Sequence, residues 1–299
     1  MQIASTANDV RQGKLIDLLS AGRLIQAIEV HNPISAIIAE NARVEVPEEN
    51  GRCSEFDVFW SSSLTDSTLR GLPDIEVLDA RSRLANIDDI FSVTTKPLIM
   101  DGDTGGRAEH FEFNIREMER RGVSAVIIED KRGLKRNSLL PGGGHHELAS
   151  VEEFCEKIRR GKAAQRSKDF LIFARIEALI VGLGVPAALE RADAYLDAGA
   201  DGIMIHSRER SPAEVLEFAR EFRRRHPAVP LISVPTTYHD IHASDLAEAG
   251  FNVVIYANHM LRAALKAMRE VSTSILRNGR TSEAEALCLD LGQVLQLGR

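Results

Sequence analysis

Residues 129–138 (EDKRGLKRNS) bring two carboxylates, four cationic side chains and one amide, Asn137, into a single short stretch. The stretch directly follows an apolar run, residues 124–128, that is typical of a buried strand. Carboxylates at a strand end can hold a hard divalent cation, and a mobile basic loop with a hinge at Gly133 can close over an anionic substrate. The alternative interpretation is a strand end followed by a solvated, charged loop.

A second acidic motif, Asp101-Gly102-Asp103, follows another apolar run. Side chains two positions apart on an extended chain point the same way, so Asp101 and Asp103 face one direction, and Glu129 follows the neighbouring strand. Ligation by carboxylate oxygens suits Mg²⁺, with Mn²⁺ also possible, far better than zinc. These three residues form the predicted metal site, and the alternative is an Asp-Gly-Asp turn that caps its own backbone.

Arg175 and Glu177 alternate along a further apolar run, so both side chains are expected to face the interior of a barrel. The planar guanidinium of Arg175 fits a phosphoryl or carboxylate group. A buried structural ion pair between the two residues is the alternative. His206, at the end of the next run, could hydrogen-bond the same group or only pack.

The elements that must position these residues alternate between strands and helices. Eight apolar, β-branched runs predict strands buried on both faces, which is typical of parallel strands covered by helices. These runs are residues 25–30, 56–60, 97–101, 124–129, 170–175, 201–206, 230–234 and 252–257. Helical patterns lie between them, for example at 109–121, 150–161, 185–198 and 212–225. Ser150 and Glu153 have the spacing of a capping box.

Eight strands in this alternating order predict an α/β fold, a (β/α)8 barrel of the TIM type. A doubly wound open sheet is the main alternative, although no G-x-G-x-x-G follows the first strand to support its dinucleotide-binding form. An extra helix is predicted at 10–22, and a C-terminal helical extension contains an amphipathic, leucine-bearing segment within 282–299. Because no break in composition marks a second domain, residues 1–299 are predicted to form one barrel domain. Its core spans about 24–275 and its tail about 276–299.

The carboxyl ends of the strands carry the chemistry in such a barrel. Polar residues collect at those ends in this sequence, whereas the amino ends carry far fewer. The ends not yet named are His31-Asn32, Trp60-Ser61-Ser62-Ser63, Pro235-Thr236-Thr237 and Asn258-His259. This grouping predicts one functional site at a single rim of the barrel.

Composition excludes several classes of function. The formal net charge of −7 argues against general binding of nucleic acids or anionic membranes. Three widely spaced cysteines, with no C-x-x-C pair, indicate a reducing compartment rather than a disulfide framework or a zinc site. No apolar run reaches transmembrane length and the first residues lack a secretory signal, so a cytoplasmic protein is expected.

Five motifs together resemble the phosphoenolpyruvate mutase/isocitrate lyase superfamily: WSSSL (60–64), DGDTGG (101–106), EDKRGLKRNS (129–138), ARIEA (174–178) and MIHS (204–207). The resemblance runs from about residue 24 to 275 and is strongest to the phosphoenolpyruvate phosphomutases within that superfamily. In the lyases the loop carries a catalytic cysteine, where this chain has Asn137-Ser138. The related phosphonopyruvate hydrolases usually carry threonine at the position of Asn137.

The resemblance implies interconversion of phosphoenolpyruvate and 3-phosphonopyruvate, an isomerase reaction that opens phosphonate biosynthesis. It implies that Mg²⁺ binds Asp101 directly, whereas Asp103 and Glu129 hold metal-bound waters. The implied substrate contacts are Trp60, Ser62, Leu64, Asn137, Arg175, Glu177 and His206. The implied catalytic residues are Asp74, Lys135, Asn137, Arg175 and His206. The WSSSL segment would bind the pyruvyl group, and the loop would close over the phosphoryl group.

Several alternatives stay open on this evidence. The protein could be a phosphonopyruvate hydrolase, a carbon–carbon lyase, or an inactive barrel retained as an assembly subunit. The phosphoryl group could transfer by a dissociative route, which we favour, or through a covalent visit to Asp74. The resemblance also implies a homo-oligomer, a dimer or tetramer with swapped terminal helices. One departure is Gly106-Arg107-Ala108, where many family members have Tyr-Gly-Asn; it alters the rim beside the metal and leaves the ligand set intact.

Overall fold

The computed structural model describes residues 3–46, 52–133, 135, 137–139 and 147–297. Arg136, one of the four cations of the 129–138 loop, lies outside the described residues, as do the last two residues of the predicted tail. Within these ranges, no helix combines the length and the apolar character needed to span a membrane.

Parallel strands of the described chain close into a barrel of eight. In chain order the strands are β1 (Ile25–Glu29), β2 (Arg43–Val46), β3 (Arg52–Glu55), β4 (Val58–Ser61), β5 (Leu98–Asp101), β6 (Ala125–Glu129), β7 (Leu171–Ile176), β8 (Gly202–Ile205), β9 (Leu231–Ser233) and β10 (Val253–Tyr256). From β4 to β10 each strand pairs with the next, and β1 completes the ring by pairing with β4 and β10. The predicted barrel is confirmed, and the open sheet is excluded because it would leave two edge strands unpaired. Strands β2 and β3 form an antiparallel hairpin outside the barrel, which the sequence analysis did not predict.

Helices alternate with the barrel strands along the chain. They are α1 (Asn8–Ser20), α2 (Pro33–Asn41), α3 (Ser63–Leu69), α4 (Ala80–Phe91), α5 (Ala108–Arg120), α6 (Val151–Ala164), α7 (Gly184–Asp197), α8 (Ala213–Arg225), α9 (Ala243–Glu248), α10 (His259–Asn278) and α11 (Leu291–Leu295), with a 3-10 turn at Glu285–Leu287. The five helices predicted by range correspond to α1, α5, α6, α7 and α8. At α6, Ser150 and Glu153 each accept the other's backbone N–H through their side chains, so the predicted capping box is confirmed.

Side chains along each strand alternate between the barrel interior and the surrounding helices. Ile25 and Ala27 of β1 belong to the apolar cluster inside the barrel. On β7, Leu171 and Phe173 belong to the same interior cluster, so Arg175, two positions further on, also faces the interior. Apolar residues therefore fill the barrel from its amino end, and polar residues occupy the carboxyl end.

Helix α1 closes the amino end of the barrel. Leu15 packs against the interior cluster at the amino end of the barrel. The buried Arg11 guanidinium donates to the backbone carbonyl of Phe91, the last residue of α4, and to those of Thr94 and Lys96 in the segment that follows. Carbonyls at a helix C-terminus lack partners within the helix, so Arg11 satisfies groups that would otherwise be buried unpaired.

Gly202→Ala is expected to lower the free energy of unfolding by about 1–3 kcal/mol. A Cβ added to Gly202 would lie 2.7 Å from the carbonyl oxygen of Pro230 and 2.9 Å from the Phe173 ring, and the strand backbone has little room to shift. Gly13→Ala in α1 is the matched control, since its Cβ would meet nothing within 4 Å. That control is expected to be neutral or stabilising. Urea unfolding compares the two variants, and equal stabilities would contradict the prediction.

Candidate active site

A cavity of about 60 Å³ lies at the carboxyl ends of the barrel strands. The predicted site residues in its wall are Trp60, Ser62, Leu64, Asp74, Asp101, Lys135, Asn137, Arg175 and His206. The remaining predicted residues, Asp103, Glu129 and Glu177, are buried behind this wall and contact it through Lys135 and Arg175. The structure therefore brings the residues predicted from the strand ends to one place.

Asp101 ends β5 at the floor of the cavity. Its Oδ2 accepts the Ser63 hydroxyl at 2.7 Å, and its Oδ1 accepts the backbone N–H of Asp103 at 3.1 Å. Asp103 adopts a left-handed backbone conformation (φ 53°), which turns the chain directly after the strand. Burial alone would raise the pKa of Asp101, but the surrounding cations Lys135, Arg175 and Arg83 outweigh it and hold that pKa well below its usual range. Asp101 is therefore an ionised carboxylate.

Lys135 reaches from the 129–138 loop into a group of three carboxylates. Its Nζ lies 2.6 Å from Asp103 Oδ1, 3.1 Å from Asp101 Oδ2 and 3.5 Å from Asp74 Oδ1. The side chain is almost fully buried, and burial opposes its charge, but these carboxylates raise the pKa of Lys135 well above its ordinary value. The loop thus carries a permanent positive charge to the cavity.

Glu129 ends β6 beside Asp101's strand and is also buried. Its Oε2 lies 3.2 Å from Arg175 Nη2 and its Oε1 lies 3.5 Å from Lys131 Nζ. Neither carboxylate oxygen has a hydrogen-bond partner. Burial raises the pKa of Glu129 to about 7, although Arg175 and Lys131 act to lower it. A buried carboxylate with unused acceptor capacity is suited to receive hydrogen bonds from another group.

These carboxylates fit a hydrated Mg²⁺ ion better than a fully protein-ligated one. Among the described residues, no three His, Cys, Asp or Glu side chains converge closely enough to ligate one ion by themselves. Mg²⁺, however, commonly keeps several waters and binds through one or two carboxylates. The ionised Asp101 would supply one hard oxygen ligand, and the Glu129 oxygens, which have ion pairs but no hydrogen bond, would accept from waters on the ion.

A buried network around Arg175 forms another part of the cavity wall. Arg175 Nε donates to Glu177 Oε1 at 2.5 Å, and its Nη2 lies 2.9 Å from His206 Nδ1. The predicted alternative of a structural ion pair is thus present, yet Arg175 also lines the cavity. Burial and the nearby Arg175 lower the pKa of His206, so its imidazole is neutral at pH 7. Ser138 joins the network, donating to Glu177 Oε2 at 2.6 Å and accepting from Arg175 at 3.1 Å.

Asn137 links the loop to the cavity wall. Its Nδ2 donates to Asp74 Oδ2 at 3.2 Å, and its Oδ1 accepts the backbone N–H of Leu139 at 3.0 Å. Asn137, Ser138 and Leu139 all line the cavity, so this part of the loop lies over the strand ends. The amide group therefore sits between the acidic and the cationic sides of the site.

Comparison with known proteins decides the family. A sequence profile of the family described as phosphoenolpyruvate phosphomutase matches residues 15–276. This chain belongs to that family. A crystal structure of phosphoenolpyruvate phosphomutase from Streptomyces platensis subsp. rosaceus is 40% identical, with a TM-score of 0.85 over 96% of this chain and 94% of that one.

This family member is also similar to phosphonopyruvate hydrolase, both in sequence and in structure. The phosphonopyruvate hydrolase of Variovorax sp. strain Pal2 is 38% identical over 93% of this chain and 91% of its own length. A structure of phosphonopyruvate hydrolase in complex with oxalate and Mg²⁺ is 36% identical, with a TM-score of 0.83 over 96% of this chain and 94% of that one. Membership of the family thus places this chain in a superfamily of enzymes. It does not distinguish the mutase reaction from the hydrolase reaction.

Several residues that line the cavity were not predicted from the sequence as site residues. They are Ser138, Leu139, Met204, Val234, Thr236, Ala257 and Asn258. Thr236 and Asn258 follow β9 and β10, so their place at the strand ends was a usable signal. The unusual segment Gly106-Arg107-Ala108 does not line this cavity; it lines a neighbouring one of about 510 Å³ beside the start of α6. The departure from the family pattern therefore leaves the wall of the site unchanged.

Proposed function

We propose that this protein is a Mg²⁺-dependent phosphoenolpyruvate phosphomutase that interconverts phosphoenolpyruvate and 3-phosphonopyruvate. The observation that carries the proposal is the loop geometry. Lys135 and Asn137 line the same cavity as Arg175 and His206. Cationic and amide donors in one cavity suit a phosphoryl group, and a charged loop in the cavity wall suits a reaction that must be kept from water.

The two ends of the substrate have separate partners in this proposal. Ser62 and Leu64, at the start of α3, contact the pyruvyl carboxylate and carbonyl, with Trp60 beside them. Arg175, His206 and Asn137 hold the phosphoryl group. In the tautomer of the neutral His206 in which Nδ1 accepts from Arg175 Nη2, the proton is on Nε2, which can then donate to the phosphoryl oxygens.

Asp101, Asp103 and Glu129 hold Mg²⁺ in this proposal, the first directly and the other two through waters. When bound, Mg²⁺ would supply positive charge to the pyruvyl oxygens as negative charge develops on them. Asp103 and Glu129 would orient waters on the ion, and Glu177 keeps the Arg175 guanidinium in position through its 2.5 Å contact.

The reaction breaks the bond between phosphorus and the enol oxygen and forms a bond between phosphorus and C3 of the same pyruvate unit. A loose, metaphosphate-like transition state spreads charge over the phosphoryl oxygens, where Arg175, Lys135 and Asn137 can donate. We favour this dissociative route over a covalent phosphoryl group on Asp74, which accepts from Asn137 and faces Lys135. Water must be excluded because it would capture the phosphoryl group and give free phosphate.

A carbon–carbon lyase is disfavoured by the absence of a cysteine in the loop. The sequence has cysteines only at 53, 155 and 288, and none lies between residues 129 and 148. Cys155 is buried within α6, where its thiol donates to the Ala194 carbonyl. None of the three is available as the acid or base that the lyase loop carries.

Phosphonopyruvate hydrolase is the second candidate, and the hydrolase relatives favour it. Phosphorus NMR of the protein with phosphonopyruvate and Mg²⁺ separates the two. Phosphoenolpyruvate as the product supports the mutase, whereas free phosphate with pyruvate overturns it in favour of the hydrolase. No turnover together with no Mg²⁺ binding would instead support an inactive barrel that serves as an assembly subunit.

The C-terminal extension supports the further proposal of a homo-oligomer, a dimer or tetramer in which terminal helices are exchanged. From Arg262 to Gln296 the described chain is largely exposed, with only Ala284 buried. Large apolar side chains are exposed along this segment, among them Leu265, Met268, Leu276, Leu291 and Leu295. Contiguous exposed apolar surface is typical of an interface.

Charging this surface is expected to shift the protein to a smaller assembly. The double variant Leu291→Glu/Leu295→Glu places two charges on the apolar side of α11, where Leu291 is 70% and Leu295 64% exposed. Gln293→Glu adds the same type of charge to the same helix at a polar residue and is the control. Light scattering coupled to size-exclusion chromatography measures the mass. An unchanged mass for the double variant would remove α11 from the interface.

A further inference from the structure

Arg83 is a buried cation at the base of the site that the sequence analysis did not single out. It lies in the first turn of α4, and its side chain is 4% exposed. Its guanidinium points into the space between the ends of β4 and β5, beneath Asp101 and Asp103. Arginine in such a setting needs several hydrogen-bond acceptors, because burying an unpaired charge is costly.

The guanidinium has partners on three segments of the site. Its Nε donates to Asp66 Oδ2 at 2.9 Å, and its Nη2 donates to the Ser61 carbonyl at 3.2 Å. Its Nη1 donates to the backbone carbonyl of Asp101 and lies 3.4 Å from Asp103 Oδ2. One planar group therefore joins the pyruvyl-binding segment after β4 to the acidic turn after β5.

Asp66 reinforces this arrangement from α3. The same Oδ2 that faces Arg83 also accepts the Ser61 hydroxyl at 2.9 Å, and Asp66 is completely buried. The orientation of Ser61 is thus set by two mutually paired groups. Ser62 and Leu64, the proposed pyruvyl contacts, follow directly in the chain.

We propose that Arg83 is a positioning residue that holds the Mg²⁺-binding carboxylates and the pyruvyl-binding segment at a set separation. The inference rests on the metal site of the proposed function and adds a residue that touches neither metal nor substrate. The planar fork of arginine can serve several acceptors at once, whereas a lysine ammonium cannot span the same set. Without the fork, the Asp101 carbonyl and the Asp103 carboxylate lose a common anchor.

Arg11 provides the matched control. It is buried like Arg83 and packs near the other end of α4, but its partners there are the backbone carbonyls of Phe91, Thr94 and Lys96 at the amino end of the barrel. Loss of either guanidinium leaves buried acceptors unpaired and should lower stability. Only loss of Arg83 should alter the metal site.

The test uses electron paramagnetic resonance to measure the dissociation constant of Mn²⁺ from the substrate-free protein. The proteins compared are wild type, Arg83→Lys, Arg83→Met and Arg11→Lys. Both Arg83 variants are expected to raise the Mn²⁺ dissociation constant about 10- to 100-fold, the usual effect of removing an outer-sphere partner of a metal site. Arg11→Lys is expected to lower the urea midpoint while leaving the dissociation constant within twofold of wild type. Arg83→Lys keeps the charge and remains informative if Arg83→Met fails to fold.

If Arg83 acted only through its positive charge, different results would be expected. Arg83→Lys would bind Mn²⁺ as wild type does, and Arg83→Met would bind it more tightly because a repelling cation is removed. Either result overturns the inference, as does a wild-type protein that binds no Mn²⁺. Wild type that binds Mn²⁺ but does not convert phosphonopyruvate overturns the proposed reaction, and weakened binding in the Arg83 variants would still support the positioning role.

Discussion

Replacing Asp101 with asparagine is expected to lower the turnover of phosphonopyruvate about a thousandfold. A metal ion stabilises developing charge by several kcal/mol, and about 4 kcal/mol corresponds to a thousandfold change in rate. The substitution keeps the shape of the side chain, and an amide oxygen can still accept the Ser63 hydroxyl that Asp101 accepts at 2.7 Å. The charge of the proposed direct ligand is lost, together with its ion pair to Lys135 and the oxygen that accepts the Asp103 backbone N–H. Phosphorus NMR measures turnover, and a parallel Mn²⁺ titration is expected to show weakened metal binding.

Asp57→Asn is the control for this prediction. Asp57 is also a buried aspartate, but it precedes β4 at the amino end of the barrel, where it accepts the backbone N–H of Gln26 at 2.9 Å and pairs with Arg23. Its substitution is expected to lower the free energy of unfolding without a change in turnover. Turnover of Asp101→Asn within tenfold of wild type would remove Asp101 as the direct metal ligand.

Replacing Asn137 with alanine is expected to lower turnover about 100- to 1,000-fold, the usual effect of removing one preorganised donor from a charge-stabilising site. The fold should be unaffected, because Asn137 lies in a loop and its contacts are to Asp74 and Leu139. Asn137→Asp retains an oxygen to accept the Leu139 N–H, removes the N–H₂ group and adds a negative charge beside Asp74. It is therefore expected to lower turnover at least as much as Asn137→Ala.

Arg132→Ala tests whether any change in this loop has the same effect. Arg132 belongs to the same loop, but its side chain is 60% exposed and pairs with Glu147 across the base of the loop at 3.1 Å. An exposed pair of this kind contributes little, so turnover is expected to stay within about threefold of wild type. If Asn137→Ala turned over substrate as fast as Arg132→Ala, Asn137 would have no role in the reaction.

The proposed reaction depends on a few side chains, whereas the barrel that holds them is similar in relatives with other reactions. The family includes phosphomutases, and its relatives include hydrolases that act on phosphonopyruvate. A mutase and a hydrolase both need the phosphoryl group released from carbon or oxygen, and they differ in whether water reaches it. The residues that cover the cavity, Asn137 to Leu139, therefore matter more to the choice of reaction than the barrel does.

The eight barrel strands were predictable because their residues are apolar on both faces and recur between helical patterns. All eight runs became strands within a few residues of the predicted bounds. The β2–β3 hairpin was missed because Arg43–Val46 and Arg52–Glu55 are short and polar, and pair with each other rather than with the barrel. Helix α4 was not among the ranges given as examples, although its buried Leu84, Ile87 and Phe91 recur at helical spacing.

The sequence by itself determined which residues stand at the carboxyl ends of the strands. Closure of a parallel barrel places all those ends on one rim, so Asp101, Glu129 and Arg175 could be assigned to one site without coordinates. Alternate residues on a strand share a face, so the sequence also indicated that Arg175 on β7 faces the interior of the barrel.

Only the tertiary structure decided which of these charges meet. The Lys135 ammonium comes to rest among Asp74, Asp101 and Asp103, and the Arg83 guanidinium spans segments that begin more than twenty residues earlier at Ser61. Such contacts depend on the path of a loop and on the rotamers of long side chains, neither of which has a period that a sequence reveals. The positions of the strands follow from the local hydrophobic pattern of the sequence. The pairing of buried charges follows instead from which charged groups the folded chain removes from water, because each of those groups then needs a partner within the protein.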